Sequence, residues 1–422
     1  MQRSEFFKNF WRKPIFATII AILSGFIVAA IILASAGYNP WTSLGALFYG
    51  MFGRPKYISN VIIKSTPIIV TGLSVAFAYK MGLFNIGAEG QYIMGALAAN
   101  VVGYLVDAPA IIEIPLIILA GVAAGALYGG IIGLLKGRYD INEVITGIML
   151  NWIALYFSNY IVNLEIFHKP NTASMYAINE SGYTSLFTQW KTTEAAATFF
   201  QEHPFIGDIM RTDVNMGFII AVALTIFISW VLFKTTKGYQ LRAVGYAQEA
   251  AEFAGIDVKK NVIQTMLIAG GLAGMAGVLN ITGIFPHAVS QLSAFESYGL
   301  NGLCVAFIAG GSPIGCILAG LLFGGLLYGG QSLQYMAGAP SEIINIMIGT
   351  IVFFVGLEGL VGMIVDRIEK RKAAKSKESG SSDSGKSGSG TGGSDKKETV
   401  TTETKQEIQS PELKTLETGK SQ

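Results

Sequence analysis

Three polar side chains stand close together in ten residues of a long apolar region, Gly82-Leu-Phe-Asn85-Ile-Gly87-Ala-Glu89-Gly90-Gln91. Asn85, Glu89 and Gln91 fall in or beside a stretch apolar enough to lie in a membrane. A carboxylate in such a place is costly and marks a functional position by default. Four residues separate Asn85 from Glu89, so on an unbroken helix they share one face. The glycines permit a broken or close-packed helix, which is tolerated only against protein or a water-lined cavity. Two roles are open to these groups: bracing a break between half-helices, or lining the path of a solute. A second Gly-rich segment, Tyr298 to Pro313, carries Asn301 near its start. Paired interrupted segments of opposite direction point to an inverted repeat with a pathway near its interface.

Other chemistry is excluded by residue type and spacing. His168, His203 and His287 are far apart and match no metal-ligand spacing. Cys304 and Cys316 both lie in apolar stretches and form neither a disulfide framework nor a zinc site. No catalytic, metal or cofactor site is expected on this chain. Gly380-Ser-Ser-Asp-Ser-Gly385-Lys386-Ser387 satisfies the P-loop pattern, but no strand precedes it and no helix follows it to aim backbone N–H groups at a phosphate.

The elements that hold these residues follow from composition. Of 422 residues, 51% are apolar and 14% charged, against about 25% charged in an ordinary soluble domain. The last 57 residues, Asp366 to Gln422, carry 12 basic and 10 acidic groups, leaving 18 of each in the first 365. That composition predicts an all-α, polytopic membrane protein over residues 1–365 and a disordered polar tail over 366–422. The net charge of +2 offers nothing to a nucleic acid. A span needs about 20 apolar residues. Ten candidates result: Ile15–Ala36, Tyr57–Tyr79, Gly82–Val106, Ile114–Leu135, Val144–Leu164, Met216–Phe233, Val262–Ile284, the shorter Tyr298–Ala309, Ile314–Leu333 and Ile343–Val365.

Basic residues set the expected orientation. With both termini cytoplasmic, the inner segments hold 12 Lys and Arg and the outer segments 5, while Lys64 lies inside a span and is expected to snorkel. The loop 165–215 is then extracytoplasmic, either a small folded cap or a docking surface. The loop 234–261 is the longest cytoplasmic one. Gly121, Gly125, Gly129, Gly133 and Gly137 form a four-residue ladder suited to close helix packing. Asn151, Asn159, Asn345 and Glu358 lie in spans and are expected as interhelical hydrogen-bond partners.

Within the cytoplasmic loop, Glu249-Ala250-Ala251-Glu-Phe-Ala-Gly255 fits the pattern EAAxxxG. Ala and Glu favour helix, and Gly255 is placed to end it. This resembles the cytoplasmic signature of ATP-binding-cassette (ABC) importer permeases, whose short coupling helix docks on an ATPase; the later Leu-Pro element of that signature is absent. Together with "GLFNIGAEGQ", Lys136–Ile145 and Gly238-Tyr-Gln-Leu-Arg242-Ala-Val-Gly245, the chain from Tyr57 to Val365 is similar to the branched-chain amino acid and simple-sugar type, and within it to the nucleoside-importer branch. The resemblance implies a transporter subunit of a bacterial cytoplasmic membrane, moving nucleosides or related sugars. It implies partners: an ATPase pair holding ATP and Mg, a second permease, expected to be a different chain, and an extracytoplasmic substrate-binding lipoprotein. Arg242, Glu249, Ala250, Ala251 and Gly255 would couple to the ATPase; Asn85, Glu89, Gln91 and Asn301 would line the pathway or brace its broken helices. The alternative is a secondary transporter or channel driven by an ion gradient, with Glu89 and Glu358 as ion sites.

Overall fold

Long apolar runs with few internal charges can satisfy their backbone in a bilayer only as helices, and the chain folds accordingly. The computed structural model describes residues 14–187 and 189–356. Arg3, Lys8, Arg12, Lys13, Glu358 and the polar tail with its P-loop look-alike lie outside the described residues. Fifteen α-helices are present among those described: α1 (Pro14–Ser35), α2 (Pro40–Phe52), α3 (Pro55–Tyr79), α4 (Ala88–Leu105), α5 (Ala110–Tyr139), α6 (Glu143–Val162), α7 (Glu194–Glu202), α8 (Pro204–Met210), α9 (Gly217–Lys234), α10 (Thr236–Tyr246), α11 (Gln248–Phe253), α12 (Val258–Gly283), α13 (Tyr298–Ile308), α14 (Pro313–Ala337) and α15 (Ile343–Gly356).

Seven of these are long and apolar enough to cross a membrane: α1, α3, α5, α6, α9, α12 and α14. The other three expected spans correspond to α4, with 18 residues, and to the shorter apolar helices α13 and α15. Local sequence sets many of the boundaries. Asn39 caps α2 by accepting from the backbone N–H of Trp41 (3.0 Å) and Thr42 (3.3 Å). Asn142 caps α6 in the same way, and the Asp257 carboxylate caps α12 through the Lys260 N–H at 2.9 Å. Pro40, Pro55 and Pro313 occupy first turns, where a missing N–H is harmless. Helix α2 is not among the expected elements. Its 13 residues are too short for a span, and it packs on α14, with Leu47 and Met51 against Gly329 and Gly325.

Burial divides the spans into a centre and a rim. In α3 and α12, 89% and 78% of the apolar window is buried, against 22–33% in α1, α5, α6 and α9. The rim helices show one packed face and one apolar outer face, as Leu119 and Leu127 of α5 illustrate at 65% and 69% exposure. A lipid-facing helix has this distribution, because apolar side chains cost nothing there.

The Gly121–Gly137 ladder supplies the packed face of α5. A Cβ on Gly125 would lie 2.5 Å from the Gly270 carbonyl oxygen and 2.6 Å from the Gly274 Cα, so α5 and α12 meet backbone to backbone. Across the seam, a Cβ on Gly95 of α4 would lie 2.4 Å from the Gly274 Cα. Three helices thus converge at spacings that side chains forbid. Asn159, expected as an interhelical partner, instead ties α6 to the non-helical segment before α13. Asn159 donates to the Leu292 carbonyl (2.7 Å) and accepts from its N–H (2.9 Å).

The loop 165–215 folds as a small cap. It contains α7, α8 and isolated antiparallel bridges, His168 with Met175, Ser174 with Ser290 and Ser185 with Asn215. Trp190 packs edge-on against Phe199 and Phe200. The Tyr183 ring stacks on His287 at 3.9 Å, and His287 Nδ1 meets the Ile281 carbonyl at 2.9 Å, which requires a proton on that nitrogen. Burial pushes the His287 pKa down.

The glycine seam gives a direct expectation. Gly125→Val drives a side chain into backbone atoms and lowers stability by about 1–3 kcal/mol or more. Gly45→Ala, with no atom within 4 Å of the added carbon, stabilises α2 by roughly 0.5–1 kcal/mol. Thermal unfolding of the detergent-solubilised protein checks both signs.

Candidate functional site

The two Gly-rich polar segments meet. Gly82 has φ +76° and residues 82–87 leave the helical path, so α4 starts only at Ala88. Asn85 therefore sits outside the helix, and the face expected to be shared with Glu89 does not form. Asn85 turns instead to Gln91. Their amides exchange two hydrogen bonds, Asn85 Nδ2 to Gln91 Oε1 (2.8 Å) and Gln91 Nε2 to Asn85 Oδ1 (2.9 Å), and Asn85 also donates to the Ser74 hydroxyl (3.0 Å). All three residues, Asn85, Glu89 and Gln91, are fully buried. Asn151 closes the break from the other side. Its Oδ1 accepts from the Gly90 N–H (2.8 Å) and its Nδ2 donates to the Ile86 carbonyl (3.0 Å).

Glu89 reaches across to α13. One carboxylate oxygen accepts from the Ser297 N–H at 2.8 Å. The other accepts from the N–H groups of Gly299 (2.6 Å) and Leu300 (3.2 Å). These are the unpaired donors of a helix N-terminus, so the carboxylate gains both hydrogen bonds and a favourable dipole. Gly299 makes the approach possible, since a Cβ there would lie 2.3 Å from the Glu89 nitrogen. Helix α13 is also held on α3, where the Thr71 hydroxyl donates to the Tyr298 carbonyl at 2.9 Å.

Asn301 parts from the other three. It lines a cavity of about 640 Å³ with Lys64, Glu296, Tyr298, Gln331 and Asn345. A smaller cavity of about 200 Å³ lies beside it, lined by Tyr92 and Asn280 and sharing Lys64, Glu296 and Tyr298 with the first. Lys64 lines both cavities. Asn345, expected as a hydrogen-bond bridge, also faces this cavity. Tyr92 donates to Glu296 Oε2 at 3.0 Å, and Asn280 donates to the Tyr92 oxygen at 2.7 Å. Glu296, Tyr92 and Asn280 escape a reading of the sequence because 204 residues separate Tyr92 from Glu296. The one available signal was a lone acid between two apolar segments.

The loop 234–261 forms a separate site. Thr235 caps α10 by accepting from the Gly238 N–H at 3.1 Å. Arg242 Nε donates to the carbonyls of Leu232 (3.1 Å) and Gly238 (3.4 Å), and its guanidinium lies 5.4 Å from the centre of the Phe233 ring. Arg242 is therefore engaged with its own loop. Helix α11 follows, ends at Phe253, and is turned by Gly255 at φ +79°. Ala251 is buried, while Glu249, Ala250 and Gly255 are exposed. Tyr246 and Phe253, both 95% exposed, flank the helix and were absent from the sequence-based set. Their aromatic type in a polar loop was the missed signal.

Comparison with known proteins places this arrangement among relatives. The family model described as branched-chain amino acid transport system, permease component, matches residues 57–356. A guanosine ABC transporter permease protein of Bacillus subtilis is 36% identical, over 84% of this chain and 97% of its own length. A nucleoside ABC transporter permease protein of Lactococcus lactis is 33% identical, over 86% and 96%. A glucose ABC transporter permease protein of Haloferax volcanii is 28% identical, over 80% and 85%. No solved structure matches the chain significantly.

The geometry at Glu89 ranks its substitutions. Glu89→Gln replaces one acceptor with an N–H₂ group that meets a backbone donor, and costs about 1–3 kcal/mol. Glu89→Ala leaves three N–H groups unpaired and costs more. Thermal unfolding should rank wild type above Gln and Gln above Ala; a Gln variant as stable as wild type would contradict the bidentate capping.

Proposed function

Because the chain belongs to the branched-chain amino acid transport system permease family, we propose that it translocates nucleosides, powered by ATP hydrolysis on a partner subunit. It is a multi-pass membrane permease. The proposed assembly contains a pair of ATPase subunits holding ATP and Mg, a second permease and an extracytoplasmic substrate-binding lipoprotein. The substrate class rests on the guanosine and nucleoside permeases among its relatives. Both termini and the loop 234–261 are cytoplasmic in this reading, and the cap 165–215 lies outside. The basic bias of the loops supports that orientation.

The observation that carries the ATPase partnership is α11. A short exposed helix, turned by Gly255 and flanked by Tyr246 and Phe253 at 95% exposure, has the form of a docking knob. Exposed aromatics of this size serve as anchors in a partner's pocket. Arg242 supports the loop from within, through Leu232 and Gly238. Glu249, Ala250, Ala251 and Gly255 would set the knob's shape. Asn85, Glu89 and Gln91 would brace the broken helices, and Asn301 would line the pathway. An ion-driven carrier would need a carboxylate free to exchange a proton or cation. Both oxygens of Glu89 are engaged by backbone N–H groups.

Uptake of labelled nucleosides, sugars and amino acids in strains with and without this chain tests the substrate reading. Loss of a buried aromatic anchor weakens docking by about 2 kcal/mol or more. Phe253→Asp should therefore cut ATP-driven uptake by roughly tenfold or more at normal membrane levels; undiminished uptake would remove α11 from the docking role. For orientation, in a background lacking Cys304 and Cys316, Glu202→Cys should react with an impermeant thiol reagent from outside, and Gln248→Cys should not. The reverse pattern would invert the topology.

A further inference from the structure

The wall between the two cavities holds groups whose hydrogen-bonding capacity the protein leaves unused. We propose that Glu296, with Lys64 and Tyr298, forms a selectivity station inside the permease that receives the sugar diol of a passing nucleoside. The inference rests on the nucleoside reading above and assigns a site to it.

Glu296 is the centre of the station. It is solvent-accessible and lines both cavities. Asn280 donates to the Tyr92 oxygen and Tyr92 donates to Glu296 Oε2, so a chain of two hydrogen bonds fixes the carboxylate. Tyr92 itself is 1% exposed and cannot swing away. The second carboxylate oxygen has no hydrogen-bond partner among the described residues. A fixed carboxylate with a free oxygen is the group that accepts hydrogen bonds from ribose hydroxyls in nucleotide-binding folds.

Lys64 and Tyr298 complete the chemistry. Lys64 lines both cavities and lies near enough for its charge to act on the Glu296 carboxylate. No ion pair joins the two among the described residues. A cation and an anion facing one space without closing on each other leave room for a solute that offers both donors and acceptors. Their charges cancel, which suits an uncharged polar solute. Tyr298 presents its ring to both cavities, and the Tyr92 ring backs it at 5.1 Å. An aromatic face receives a nucleobase without reading its edge. Asn301, Gln331 and Asn345 add amides around the larger cavity. Its volume of about 640 Å³ falls within the roughly 300–1,000 Å³ of small-molecule pockets.

The test uses the complete transporter in membrane vesicles, with ATP and saturating binding protein. Initial uptake is compared for guanosine and 2′-deoxyguanosine, normalised to membrane protein, for wild type and Glu296→Gln. The substitution keeps shape and the Tyr92 contact but removes the charge that strengthens the hydroxyl contacts. Guanosine uptake should fall by roughly tenfold and deoxyguanosine uptake by clearly less, so that the ratio of the two rates moves toward one. Tyr92→Phe, which frees the carboxylate to turn, should shift the ratio in the same direction. A ratio unchanged in both variants, with or without an equal loss of both rates, overturns the station while leaving the nucleoside permease intact. A wild-type transporter that moves neither nucleoside overturns the substrate reading itself, and the station with it.

Discussion

A polypeptide that breaks its helices inside an apolar surrounding must pair every freed N–H and C=O with another part of itself. Nearly every specific feature of this protein answers that requirement. The chain leaves the helix between α3 and α4, and again before α13. At the first break Asn151 serves a carbonyl and an N–H together. At the second, one carboxylate serves three N–H groups. The Asn85–Gln91 pair then closes the remaining space with mutually satisfied amides. The polar side chains of Gly82–Gln91 are thus all paired in the folded chain, with one another, with Ser74 and with the start of α13.

The glycines answer a second demand. Lipid tails are as apolar as leucine, so helices associate through close packing rather than through exclusion of water. The seam where α4, α5 and α12 converge works by removing side chains from the contact. Close approach also brings the polar ends of α4 and α13 within reach of each other: a carboxylate as short as that of Glu89 spans the gap only because Gly299 lets the backbones nearly touch. Packing and polar satisfaction are thus the same solution seen at two places.

Much of this was legible in the sequence. Apolar length located the spans, the four-residue glycine ladder marked the seam, and Gly255 marked the end of α11. Glu89 and Asn301 could be singled out because a polar group among apolar neighbours is conspicuous. Their division of labour could not, since it depends on where a kink at Gly82 sends the chain. Asn85 shows this most plainly: spacing put it beside Glu89, and a left-handed glycine turned it to Gln91. Helix α2 went unread because its 13 residues are too few for a span and have no other periodic signature. Sequence places Lys64 along a helix, but only the fold reveals the cavities it lines. Glu296 lay in a linker, where an acidic residue is unremarkable until Tyr92 is brought beside it.

The grip of Glu89 on the start of α13 also limits how this protein can move. Helix α13 carries Tyr298 and Asn301 into the cavity wall, and its first turn is fastened to α4 through one side chain. A movement of α13 away from α4 would surrender all three N–H bonds together. Such a movement leaves a buried carboxyl group and three N–H groups stranded, so α13 and α4 move more cheaply as one piece. The Thr71 hydroxyl ties the same turn of α13 to α3, so α3, α4 and α13 are clamped into one unit on this side of the cavity. Reshaping then falls to the opposite wall, where α14 and α15 contribute Gln331 and Asn345.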